Sequence, residues 1–186
     1  IAGGDISNNE SYFCGGGIFN YYGHLNMSAG TIQDNHTKAY GGGVFNGSDP
    51  QTNVQLARMM EDPEEGQYIE LLGYRIPYFN LSGGSITGNY TTESNPPARY
   101  WPLIGFDTHC GGGGIYNFFA DINISGTPSI SRNHSAAYGG GIYFGHPYRS
   151  YPGGYDLSSD FDSLQGEAIS EKALQYLIMP GHIAIE

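Results

Sequence analysis

Hydrophobic and polar positions alternate along this chain in short segments that recur, instead of following one long pattern. One segment joins a glycine run to alternating residues and reads GGGIFN, GGGVFN, GGGGIYN and GGGIYF at residues 15–20, 41–46, 111–117 and 139–144. A second has an Ile-x-x-Asn core and begins at Ile6, Ile32, Ile86 and Ile130. A third is a short apolar-polar-apolar segment, as in LNM at residues 25–27. Because each segment has the length of a strand and ends in Gly or Asn turns, we predict three strands per repeat and four repeats.

The spacing of these segments predicts a stacked solenoid. Ile6 and Ile32 lie 26 residues apart, as do Ile18 and Val44, a period too short for helix pairs. Later spacings are longer, and the excess falls in two insertions, at about residues 47–78 and 91–109. We therefore predict an all-β fold, a right-handed parallel β-helix of about four coils over residues 1–144. Residues 145–186 follow the repeats as a C-terminal extension, either a cap or a docking segment.

Stacking of coils places equivalent residues in columns along the axis. The asparagines of the repeats are expected to form two structural ladders, in which amides hydrogen-bond from coil to coil. The predicted members are Asn9, Asn35, Asn89 and Asn133 in one column, and Asn20, Asn46 and Asn117 in the other.

The GGGI(Y/F)N runs and the GlyThrIle-x-x-Asn segment at residues 30–35 resemble the glycine-rich repeats of adhesin-like bacterial and archaeal surface proteins. That group includes chlamydial polymorphic outer membrane proteins, but their repeat has phenylalanine where Ile6, Ile32, Ile86 and Ile130 stand here, so the resemblance is to the broad group and not to that family. The resemblance covers residues 3–46 and 79–144. It implies a β-helix and an extracellular or cell-surface location, and says less about function.

Composition and charge exclude several classes of partner. The formal net charge is −11 with only 7 Lys and Arg residues, so the chain lacks the basic surface that nucleic acids and anionic membranes require. No apolar run approaches the roughly 18 residues of a membrane span. The remaining partners we expect are another copy or further coils of a longer chain, and a glycan or host-surface ligand.

The alternative function is a carbohydrate-active enzyme, a polysaccharide lyase or glycoside hydrolase, because many β-helix proteins act on polysaccharides. Inverting hydrolases need two carboxylates about 6.5–9.5 Å apart. Asp5, Glu10 and Asp34 are the acids of the first two repeats, and no pair recurs at stacked positions. The histidines lack the spacing of a zinc site, and no Lys-Ser/Thr follows the GGGG run. We expect no enzyme activity, metal or cofactor.

Two cysteines each precede a glycine run, so the repeats place Cys14 and Cys110 in one column, with Tyr40 between them. Two coils correspond to about 9.6 Å along the axis, which exceeds the roughly 7 Å limit on the Cα separation of a disulfide. We predict that no disulfide joins them.

Asn-x-Ser/Thr sequons occur eight times among thirteen asparagines. Repetition of one motif is the simplest explanation, and ladder asparagines would be inaccessible. The sequons at Asn26, Asn80 and Asn123 lie between inward apolar residues, so these side chains face outward and are the candidates for glycosylation. A separate candidate is a binding loop in the second insertion, with Tyr100, Trp101 and Phe106 as aromatic anchors. Together these features predict an extracellular, adhesin-like module that acts as a scaffold and binding surface, with self-assembly into a filament or surface layer as one form.

Overall fold

A computed structural model describes residues 1–48, 77–94, 110–118, 120–145 and 183–185. These residues form sixteen β-strands and no helix. Within them there is accordingly no helix long and apolar enough to cross a membrane.

The strands follow one another in four coils of four strands each. The first coil contains β1 (Ala2–Ser7), β2 (Glu10–Ser11), β3 (Ile18–Tyr21) and β4 (His24–Met27). The second contains β5 (Ala29–Gln33), β6 (His36–Thr37), β7 (Val44–Gly47) and β8 (Tyr78–Leu81). The third contains β9 (Ser85–Thr87), β10 (Tyr90–Thr91), β11 (Ile115–Phe118) and β12 (Asp121–Ile124). The fourth contains β13 (Ser129–Ser131), β14 (His134–Ser135), β15 (Ile142–Gly145) and β16 (Ile183–Ile185).

Each coil contributes one strand to each of four sheets, and every strand pair is parallel. The sheets have the orders β1-β5-β9-β13, β2-β6-β10-β14, β3-β7-β11-β15 and β4-β8-β12-β16. This topology confirms the predicted parallel β-helix. The prediction of three strands per repeat is wrong, because a two-residue strand follows each Ile-x-x-Asn motif. The predicted extension supplies β16, which pairs with β12 and so adds a strand to the fourth coil.

The interior is built from aliphatic columns in the predicted register. Ile6, Ile32, Ile86 and Ile130 stand above one another in the first sheet. A second column consists of Ile18, Val44, Ile115 and Ile142. These side chains belong to one hydrophobic cluster, and in the two middle coils they are completely buried. Burial of these columns holds the coils together, since each coil alone has no core.

The glycine runs meet two different structural requirements, as the second coil shows. Gly41 has a φ of 67°, in the left-handed region that side chains disfavour. Gly43 has an ordinary φ, but a Cβ added there would lie 2.7 Å from the Gly114 carbonyl oxygen and 3.0 Å from the Asn89 amide. The run therefore turns the chain and then lets the backbone pack against an asparagine.

Cys14 and Cys110 are both buried, and no disulfide joins them, as predicted. The predicted column is wrong, however, because Gly111 and not Cys110 is in register with Tyr40. The third glycine run has four residues instead of three, and its extra glycine takes the place that Cys14 and Tyr40 have in the first two coils. Cys110 is displaced by one residue but stays in the same apolar cluster as Cys14.

Candidate functional site

The asparagine of the Ile-x-x-Asn motif forms a ladder through all four coils. The backbone N–H and the Nδ2 of Asn35 both donate to Oδ1 of Asn89, each at 3.0 Å. The same pair of bonds joins Asn9 to Asn35 and Asn89 to Asn133. Nδ2 of Asn89 also donates to the Ile32 carbonyl at 2.9 Å, so the motif's isoleucine and asparagine are coupled. Asn35 and Asn89 are completely buried, which satisfies the rule that buried amides are hydrogen-bonded.

The expectation that all four members are inaccessible is wrong at both ends of the ladder. Asn9 is exposed and Asn133 is half-buried. The reason is geometric, since each of these two belongs to an end coil and has a described coil on one side only.

The sequons of this ladder have a structural explanation. The Ser or Thr two residues after each ladder asparagine lies on the short second strand, and the members are Ser11, Thr37, Thr91 and Ser135. Thr37 and Thr91 are buried in the two middle coils. Thr91 donates to Ser135 Oγ at 2.9 Å. A buried hydroxyl column thus accounts for these tripeptides without glycosylation.

The second ladder stabilises the corner after the glycine strand in the first three coils. Asn20 donates to Oδ1 of Asn46 at 2.6 Å, and Asn46 donates to Oδ1 of Asn117 at 2.7 Å. Asn117 then donates to the Ala120 carbonyl at 2.6 Å. In the fourth coil Phe144 is in register with Asn117, so this ladder ends in the third coil.

The sequon asparagines of the fourth sheet form a third column, and this one lies on the outside. Asn26, Asn80 and Asn123 are in register, with Asn26 exposed and the other two half-buried. Nδ2 of Asn80 donates to Oδ1 of Asn26 at 2.9 Å. Asn123 is in register with Ala184 in the next coil, and its Oδ1 is buried without a hydrogen-bond partner among the described residues. Sequence reasoning predicted the outward direction of this column and missed the hydrogen bond within it.

That hydrogen bond makes the three glycosylation candidates unequal. A glycan is attached to Nδ2, and the Nδ2 of Asn80 is engaged with Asn26. Adjacent coils are about 4.8 Å apart, so neighbouring glycans in this column would also crowd one another. Asn26 is exposed and uses its Oδ1 in the bond with Asn80, which makes it the most accessible of the three.

A column of charged and aromatic side chains lies along the second sheet. Glu10, His36, Tyr90 and His134 are in register there. His36 Nε2 lies 3.4 Å from Glu10 Oε1, and its ring stacks on Tyr90 with centroids 4.9 Å apart. Nearby, the Nζ of Lys38 lies 4.4 Å from the centroid of the Tyr12 ring and 3.5 Å from Glu93 Oε1. These exposed contacts contribute little to stability individually, but they define the chemistry of this flank.

The described acids of the first two coils are separated from one another by the register. Asp5 is in register with Thr31 and accepts a 3.1 Å hydrogen bond from Gln33. Glu10 is paired with His36. No group of three or more His, Cys, Asp or Glu side chains that could hold a metal is found in the part of the chain that the structure describes.

An aromatic cluster covers the outward face of the third sheet. Phe19, Phe45, Tyr116 and Tyr143 are in register. Phe45 and Tyr116 are completely buried, with ring centroids 5.7 Å apart, whereas Phe19 is exposed. Burial, and to a smaller extent the neighbouring Cys110, raise the pKa of the Cys14 thiol in the same cluster well above its usual value. The repeated F/Y in the glycine motif was the available sequence signal for this cluster.

Three predicted residues of the candidate binding loop, Tyr100, Trp101 and Phe106, lie outside the described residues, so their role stays a prediction. The chain matches no protein-family model, no curated protein and no solved structure.

Proposed function

We propose that this chain is an extracellular, adhesin-like β-helix module that acts as a structural scaffold and binding surface. The observation that carries the proposal is that the repeated asparagines stabilise the stack. The repeated asparagines form hydrogen bonds along the axis, from Asn35 to Asn89 and from Asn46 to Asn117. These groups support a long surface and do not converge on one reacting point.

The register of the acids also favours binding over hydrolysis. A glycoside hydrolase needs two carboxylates that face each other across a cleft. In the described coils, the residues stacked on Glu10 are His36, Tyr90 and His134. A side wall of histidine, tyrosine and asparagine is instead suited to hydrogen bonding and stacking with a glycan or a host-surface protein.

The experiment is a binding and turnover assay on one set of glycans. Fluorescently labelled protein is applied to an array of mucin-type and plant oligosaccharides, and the same sugars are tested for new reducing ends and unsaturated products. We expect binding to a subset of sugars that are recovered unchanged. Product formation, or binding to none of the sugars and to no animal-cell surface, would overturn the proposal.

A matched pair of variants locates the surface. Trp101→Ala removes an aromatic anchor of the predicted loop, whereas Phe19→Ala removes an aromatic ring that is 53% exposed on the stack itself. We expect Trp101→Ala to weaken glycan binding about tenfold or more, as loss of an aromatic anchor does, and Phe19→Ala to leave it unchanged. The reverse order would assign the binding surface to the third sheet.

A further inference from the structure

The two end coils leave the apolar columns uncovered within the described residues. Ile32 and Ile86 in the middle coils are completely buried. Their register partners, Ile6 in the first coil and Ile130 in the fourth, are only half-buried. Among the described residues, the end strands also pair with another strand on one side only, and on the outer side of β4 only Ile1 contributes hydrogen bonds, to the Asn26 carbonyl and from the Ser28 N–H. Both ends therefore present the kind of surface against which each coil already packs inside the stack.

The inner asparagine ladder gives these two ends opposite polarity. In each step the N–H and Nδ2 of one asparagine donate to Oδ1 of the asparagine in the next coil. The ladder thus begins with Oδ1 of Asn9, which accepts no hydrogen bond from the described residues, and ends with the donors of Asn133. An acceptor at one end and donors at the other are complementary when two stacks meet head to tail.

The charged residues of the two end coils favour the same head-to-tail orientation. Residues 1–27 contain two acids, Asp5 and Glu10, and no Lys or Arg, whereas residues 129–145 contain Arg132 and no acid. His134 lies in the same coil and adds a positive charge only when it is protonated. Glu10 and His134 lie in the same column, and inside the chain Glu10 already contacts a histidine, His36, at 3.4 Å. Opposite charges at the two ends favour head-to-tail contact and disfavour contact between two identical ends.

We propose that a second copy of this chain is the partner of these ends, with the fourth coil of one copy stacked beneath the first coil of the next. The contact continues the coil-to-coil interface found within the chain, and places Asn133 against Asn9 and His134 against Glu10. This inference depends on the fold alone and stands apart from the proposed binding function.

The register imposes one steric condition on the contact. Ser28 N–H donates to the Ile1 carbonyl as Ser82 N–H donates to that of Met27, both at 2.9 Å, so Ile1 lies one coil below Met27. Ile185 belongs to the same column through Ile124. Ile1 of the upper copy and Ile185 of the lower copy would therefore occupy the same place. Ile1, which is half-buried, has to move aside when copies stack.

The experiment is sedimentation velocity of the 20.1 kDa chain over a wide range of concentration and at low and high salt. A head-to-tail contact does not close, so the mass should grow with concentration in steps of one chain and show no ceiling. High salt should weaken the association because the end charges are screened.

Charge variants test the direction of the contact. His134→Glu places a carboxylate opposite Glu10 of the next copy, and Glu10→Lys places a cation opposite His134, at an end that also holds Arg132. We expect each to weaken association by roughly threefold to tenfold. The double variant, which again places a carboxylate and a cation opposite each other, in exchanged positions, should regain most of the association. Thr92→Glu is the control, because with histidine neutral at pH 7 it adds the same single negative charge as His134→Glu, at an exposed position in the third coil.

Four results would overturn the proposal. They are a mass that stays at one chain at every concentration, a mass that stops at a dimer, an equal loss of association in Thr92→Glu, and a double variant as weak as the single ones. Far-UV circular dichroism establishes that each variant is folded, and because Glu10 and His134 are both exposed, either single variant suffices if the other does not fold.

Discussion

Two columns of asparagine in this molecule are built from the same Asn-x-Ser/Thr tripeptide, one inside the stack and one outside. Asn89 on the inside is completely buried and engages both neighbouring coils. Asn80 on the outside is half-buried and makes one side-chain hydrogen bond, to Asn26. The same motif therefore stabilises the interior in one column and provides a surface side chain in the other. What distinguishes them is the direction of the side chain relative to the stack.

Removal of the inner amide should have the largest effect. Asn89→Ala leaves the Asn35 N–H and Nδ2 and the Ile32 carbonyl without their partner in a buried place. Each buried unsatisfied group costs about 1–3 kcal/mol, so we expect a loss of about 3–5 kcal/mol in the free energy of unfolding. Asn80→Ala, the matched variant outside, should cost about 1 kcal/mol or less. Urea unfolding followed by circular dichroism measures both, and equal losses would contradict the distinction between the two columns.

The glycine that packs against the inner ladder should come next. A methyl group at Gly43 would meet the Gly114 carbonyl oxygen at 2.7 Å and the Asn89 amide at 3.0 Å. Because the Gly114 carbonyl is a backbone group that cannot easily move, we expect Gly43→Ala to lower the free energy of unfolding by about 2–4 kcal/mol. Gly141 has the same place in the fourth run, where a Cβ would meet only Ile130 Cγ2 at 3.7 Å. Gly141→Ala should leave stability within about 0.5 kcal/mol of the original, and a comparable loss at both positions would show that the ladder is not what requires glycine.

How much of this could be predicted from sequence depends on whether a feature is repeated. The aliphatic columns and the inner ladder followed from the 26-residue spacing, because a fixed period places Ile6 on Ile32 and Asn9 on Asn35. The two-residue strands, such as His36–Thr37, were missed because two residues show no alternation. Cys110 was misplaced because a fourth glycine before the third strand shifts the register by one residue.

The candidate surface was less predictable than the ladder. Alternation in residues 25–27 indicates that Asn26 faces outward, but not that Asn80 donates to it. Likewise, the repeated aromatic of the glycine motif does not reveal that Phe45 is buried and Phe19 exposed. The burial of Phe45 depends on what covers the column, and the Asn80–Asn26 hydrogen bond depends on the rotamers of two stacked side chains. Spacing along the chain predicts which residues are stacked and gives neither of these.

The buried hydroxyl column offers a smaller test within the interior. Thr91 Oγ1 donates to Ser135 Oγ at 2.9 Å, whereas the buried Oγ1 of Thr37 has no hydrogen-bond partner among the described residues. Valine replaces the hydroxyl by a methyl group of similar shape. We expect Thr91→Val to lower the free energy of unfolding by about 1–2 kcal/mol and Thr37→Val to raise it by up to about 1 kcal/mol. Thermal and urea unfolding measure the pair, and a loss at Thr37 as large as that at Thr91 would mean that the Thr37 hydroxyl is bonded after all.

The smallest predicted effect concerns the aromatic cluster on the outward face of the third sheet. It tests whether water is excluded from this cluster, as it is from the inner core. Burial, with a smaller contribution from Cys110, raises the pKa of Cys14 well above its usual 9.0. The folded protein then keeps the thiol proton at pH values where the unfolded chain has lost it, so stability should fall as pH rises above 9, by up to about 1 kcal/mol per pH unit. A Cys110→Ala protein isolates Cys14, since burial, the larger cause, remains. Its alkylation at pH 9.5 should be far slower when folded than in urea, and adding Cys14→Ala should reduce the loss of stability with pH. Equal alkylation rates in the folded and unfolded protein would show that water reaches the cluster.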